Sequence, residues 1–74
     1  METDYVWQGN LLDAAEHYAR QLSQRGLSRV VSRNEEHRRV EVWSDGRRRV
    51  VVQLAADERA GTRIIVTEYD PVHN

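Results

Sequence analysis

The chain is 74 residues long, with 11 basic and 12 acidic side chains, a net charge of −1 and no cysteine. That length holds one domain near the lower limit for a core that folds unaided. It excludes a disulfide scaffold and thiolate metal sites, and the charge balance lacks the basic excess typical of a duplex-DNA binder. All 11 basic residues are arginine. With Lys, Phe and Cys all missing, codon usage in a GC-rich bacterial genome is the simplest account. No apolar run approaches the ~18 residues of a membrane helix, and the Met1-Glu2-Thr3-Asp4 start is acidic where a signal peptide is basic. The expectation is a cytoplasmic protein with no membrane partner.

Residues 1–9 hold Tyr5, Val6 and Trp7 ahead of Gly9 and read as an N-terminal tail, partly packed through its aromatics. Asn10 is placed to cap a helix, with Asp13 in the capping-box position. Leu11, Leu12, Ala15, Tyr18, Ala19 and Leu22 follow at helical spacing, and Asp13, Glu16, His17, Arg20 and Gln24 fall opposite. Gly26 should stop the helix, with Leu27 folding back on Leu22 as in a Schellman motif.

Leu27–Arg33 then reads as a first strand, and a polar turn at Asn34-Glu35-Glu36 leads to a second at His37–Trp43. From here the bulky aliphatics sit at even positions: Val40 and Val42, then Val50, Val52 and Leu54, then Ile64 and Val66. A period of two marks strands with one face toward a core. A three-residue loop with Gly46 in the bulge position would pair Val40 with Val50 and gather these aliphatics on one side. A five-residue loop at Asp57–Gly61 would pair Leu54 with Ile64 and Val52 with Val66. The predicted fold is α+β, one N-terminal helix packed on a four-stranded antiparallel meander (α-β-β-β-β). Residues 10–69 form the single domain and residues 70–74 a tail that leaves the sheet at Pro71. Leu12, Ala15, Ala19 and Leu22 are expected to face the even-numbered strand positions.

Few residues are left for chemistry. Gly9, Gly26, Gly46 and Gly61 stand singly at element boundaries, so no phosphate-cradling loop exists and no lysine completes one. Of His17, His37 and His73, His17 has Asp13 one turn away and His37 follows Glu35-Glu36; either pair could bind a cation weakly, but surface charge pairing is the far commoner use of such neighbours. Ser23, Ser28, Ser32 and Ser44 have no sequence-evident base, and the acid pairs Glu35-Glu36 and Asp57-Glu58 lie in turns. Neither a catalytic set nor a cofactor is expected.

The sharpest cluster is Arg47-Arg48-Arg49 after the Asp45-Gly46 turn, with Arg38-Arg39 on the partner strand. In the expected register Arg39, Trp43, Arg47, Arg49, Val51, Ile65 and Tyr69 point away from the helix, and Glu41 sits opposite Arg49 as an ion pair. Apolar groups rimmed by arginine and aromatics fit a protein-binding or self-association surface. The leading expectation is a small non-enzymatic interaction or regulatory module that pairs with another protein or with a second copy. An alternative is single-stranded nucleic acid, clamped by the arginines and stacked on Trp43.

Overall fold

In the computed structural model, which describes residues 1–57, 59 and 61–69, one helix crosses one face of a five-stranded antiparallel sheet. The elements are β1 (Glu2–Trp7), α1 (Leu11–Gln24), β2 (Ser28–Glu35), β3 (Arg38–Ser44), β4 (Arg49–Asp57) and β5 (Gly61–Tyr69). The sheet order is β1-β5-β4-β3-β2. The α+β layout and the meander of the last four strands stand as expected, but there are five strands and not four. The extra one is β1, the segment read as a partly packed tail. Its alternation carries Thr3, Tyr5 and Trp7 to the helix side and Glu2, Asp4 and Val6 to the other, through pairing with β5. The tail expected at residues 70–74 lies outside the described residues.

The helix forms where its caps dictate. Asn10 Oδ1 accepts the Asp13 amide at 2.8 Å, satisfying one of the donors a helix start leaves open. At the other end Gly26 adopts φ +85°. The Leu27 amide donates to Leu22 O and the Gly26 amide to Ser23 O, each at 3.0 Å, which is the complete Schellman pair. The buried stripe is Ala14, Ala15 and Leu22, with Leu11, Tyr18 and Ala19 half-buried beside it. Leu12 was expected in that stripe and is instead 58% exposed. The helix is rolled so that Leu11 and Ala14 point down, and Leu12 is left on its flank.

The β4–β5 register holds as expected, with Leu54 opposite Ile64 and Val52 opposite Val66. The β3–β4 register does not. Ser44 pairs with Arg49, Trp43 with Val50 and Val42 with Val51, so the connection is the four-residue loop Asp45–Arg48. The Asp45 carboxylate makes this loop by accepting the Arg47 and Arg48 amides at 2.8 and 2.7 Å, while Gly46 donates to Ser44 Oγ at 3.1 Å. Relative to the expected pairing, β3 is displaced by three residues along β4. An odd displacement swaps the faces of a strand. Val40 and Val42 therefore turn away from the helix, and Arg39, Glu41 and Trp43 turn toward it. Glu41 sits opposite Val52, not Arg49.

The resulting core is Ala14, Ala15, Leu22, Leu27, Trp43, Val50, Val52, Leu54 and Ile64. A second close approach fixes β1. Gly61 has φ +94° and lies so near β1 that an added Cβ would meet Trp7 O at 2.3 Å. Only glycine fits there. Beside it the buried Thr62 donates its hydroxyl to Gly9 O at 3.0 Å, so the start of β5 holds both the end of β1 and the β1–α1 connection.

Candidate functional site: two faces of one sheet

The seven residues expected to share one outward surface are divided by the β3 register. Arg49, Val51, Ile65 and Tyr69 do lie on the face opposite the helix, with Arg49 paired to Tyr69 and Val51 to Thr67. Arg47 sits in the β3–β4 loop. Arg39 and Trp43 are on the covered face, contrary to expectation. Trp43 is only 5% exposed and donates its indole N–H to Glu41 Oε1 at 2.9 Å. A base cannot stack on a ring buried in this way, so that part of the nucleic-acid expectation is withdrawn.

What sequence reasoning missed takes their place. The open face is built of cross-strand rows read from the registers. One row runs Glu2, Thr67, Val51, Val42, Val31 from β1 to β2, and its neighbour runs Asp4, Ile65, Gln53, Val40, Arg33. Val31 is 52% exposed, and Val40, Val42, Val51 and Ile65 are half-buried only by one another and their strand neighbours. An antiparallel sheet with one solvated face ordinarily alternates apolar-in and polar-out. Here five aliphatics occupy the polar side in these two rows, and the exposed Val6 lies on the same face.

The rim of this face is charged and asymmetric. At the β1 edge lie Glu2 and Asp4; at the β2 edge lies Arg33, with Glu35 set opposite Arg38 of β3. Arg63 bridges to Asp4 at 2.7 Å, and this hydrogen-bonded pairing holds the Asp4 carboxyl below, and the Arg63 guanidinium above, their ordinary values. Arg38 donates to Gln53 Oε1 at 3.0 Å across the same face.

The covered face hides a polar cluster. Glu41 is 1% exposed. Its Oε1 takes the Trp43 N–H, and its Oε2 lies 2.7 Å from Arg39 Nε and 3.3 Å from Arg29 Nη1. The Arg39 Nε–H does not point along its short contact, so it forms an ion pair without a hydrogen bond. Arg29 also spans the Trp43 ring, with its guanidinium carbon 5.9 Å from the centroid, a cation–π distance. Between these arginines and the helix flank runs a groove of about 190 Å³, lined by Leu12, Ala15, Glu16, Ala19, Arg29 and Arg39. On the opposite flank of the helix, Tyr5 and Trp7 of β1 pack on Tyr18 and His17 at centroid distances of 6.1 and 4.9 Å. Burial among these rings raises the Tyr18 hydroxyl above its ordinary value.

Among the described residues, no three of His, Cys, Asp and Glu converge to hold a metal ion, and no helix is long and apolar enough to cross a membrane. No protein-family model, curated protein or solved structure matches the chain.

Proposed function

We propose that the chain is a non-enzymatic interaction module that self-associates through the open face of its sheet. The observation that carries this reading is the valine row Val31–Val42–Val51 with Ile65 and Val40 beside it, on the side of the sheet that, among the described residues, no element covers. Five strands at ~4.8 Å and seven residues at ~3.4 Å give a face of about 570 Å². Two such faces bury more than ~1,000 Å², the range where specific interfaces begin. Sheets stacked face to face are a standard way to complete a core.

A second copy suits this face better than an unrelated partner because its charges complement themselves. A two-fold axis running along β4 lays β1 of one copy over β2 of the other. Asp4 then meets Arg33 of the second copy, Ile65 meets its Val40, and Val51 meets its own counterpart on the axis. A two-fold across the strands would instead set acidic β1 on acidic β1. Edge-to-edge pairing is disfavoured at β2, where the register shift between Arg29 and Val31 interrupts the strand.

Light scattering over a concentration series tests the reading. The wild type should reach twice the chain mass, and Val42→Asp should remain a folded monomer. A wild type that stays monomeric throughout, or a Val42→Asp variant that dimerises as well as wild type, would remove it.

A further inference from the structure

The groove between α1 and the β2–β3 end of the sheet carries an inference independent of self-association. Glu41 is satisfied: one oxygen holds Trp43 and the other holds both arginines. The arginines are not. Arg39 meets Glu41 through Nε and Arg29 through Nη1, and among the described residues their remaining N–H groups have no partner. Two guanidinium groups share one buried carboxylate, which leaves one positive charge over. Glu16, the other acid at the groove, is exposed at its mouth and pairs with neither.

The opposite wall is apolar and set back. Ala15 and Ala19 leave space that larger side chains would fill, and the exposed Leu12 forms the lip. The Glu41–Trp43 pair locks the arginines from below, so their forks are held open before any ligand arrives. Planar guanidinium forks match carboxylate oxygens in pairs.

We infer that this groove binds a small organic carboxylate, its oxygens on Arg29 and Arg39 and its short apolar tail against Ala15, Ala19 and Leu12. At ~30 Å³ per water-sized unit, the volume admits a ligand of about six non-hydrogen atoms. Butyrate is the probe of that size. Butyramide has the same shape without the charge, and inorganic phosphate has charge without the tail.

The test is an NMR titration of the ¹⁵N-labelled protein, followed at the Trp43 indole N–H. Butyrate should shift that signal saturably with a Kd of about 1 mM, and butyramide and phosphate should each bind at least about tenfold more weakly. Ala19→Leu, which fills the groove and leaves the charges alone, should abolish the shift. Should that variant fail to fold, Arg29→Gln, at a half-exposed position, should weaken butyrate about tenfold. No saturable shift with butyrate, equal binding of butyramide, equal binding of phosphate, or full affinity in a folded Ala19→Leu or in Arg29→Gln would each overturn the assignment.

Discussion

The two faces of β3 differ in sequence, and each serves the end opposite to the one its aliphatic count suggests. On one side Val40 and Val42 lie in an uncovered apolar row. On the other, Arg39, Glu41 and Trp43 go under the helix. Counting aliphatics points to the valines as core. Yet a tryptophan ring buries more apolar surface than a valine, and its N–H needs a partner when buried. Glu41 supplies that partner, and Arg29 and Arg39 neutralise Glu41 in turn. The lesson is that a charged residue can be carried into a small core when its neighbours complete the set, which leaves aliphatics free for the outside.

This comparison breaks first at Trp43. Trp43→Ala should cost about 3–5 kcal/mol, close to the whole stability of a domain this size, and leave the chain unfolded by circular dichroism at 25 °C. Val42→Ala in the monomer should cost less than about 1 kcal/mol by urea titration. Equal costs at the two positions would mean that β3 has been given the wrong face.

Next is the buried carboxylate. Glu41→Ala leaves Arg39 beneath the helix without its counter-charge and should destabilise by roughly 3–5 kcal/mol. Replacing Arg39 and Glu41 together with leucine should recover part of that loss, because an apolar pair avoids the desolvation of both charges. A double variant worse than the single would show that the cluster stabilises beyond its own burial.

Gly61→Ala probes how β1 closes the open face on its acidic side. The added methyl meets Trp7 O and requires φ +94° of an alanine, a strain of order 1–3 kcal/mol before the clash is counted. Thermal melts should show the drop, and amide exchange should show β1 opening first. Protection of Tyr5 and Trp7 amides equal to wild type would contradict the close approach.

The smallest effect is expected at the loop that sets the register. Backbone hydrogen bonds from Arg48 and Arg47 hold the Asp45 carboxyl below its ordinary value. A depressed folded value means that the unfolded chain binds more protons, so this contribution is present above the ordinary aspartate range and is lost as pH falls through the folded value. Asp45→Ala should therefore lower stability at neutral pH and flatten the acid limb of the stability curve. An unchanged limb would assign that limb to other carboxylates.

Much of the architecture is legible from local signals. The Asn10 cap, the Gly26 stop, the fold-back of Leu27 and the Leu54–Ile64 register all follow from short-range rules. The β3–β4 register is not legible, because it depends on the Asp45 side chain adding one loop residue and on both faces of β3 being acceptable inside. β1 was readable in principle: Thr3, Tyr5 and Trp7 alternate with Glu2, Asp4 and Val6, but six residues without a neighbouring turn do not reveal their partner. Of the candidate surface, Arg49, Val51, Ile65 and Tyr69 were found from the β4–β5 alternation, whereas Val31, Val40 and Val42 were hidden by the misplaced strand.

The most direct measurement uses the absence of native cysteine. Val51 lies on the axis of the proposed dimer, so in Val51→Cys two thiols face each other across sheets stacked about 10 Å apart, too far for a disulfide but within the span of a short bis-maleimide. Leu12→Cys, more exposed in the single chain but on the helix side, sets up no such pair. Treated with a short bis-maleimide, Val51→Cys should convert rapidly to a covalent dimer at dilute protein while Leu12→Cys stays monomeric on a denaturing gel. Cross-linking of both at the same slow, concentration-limited rate would contradict an open face built to receive a second copy.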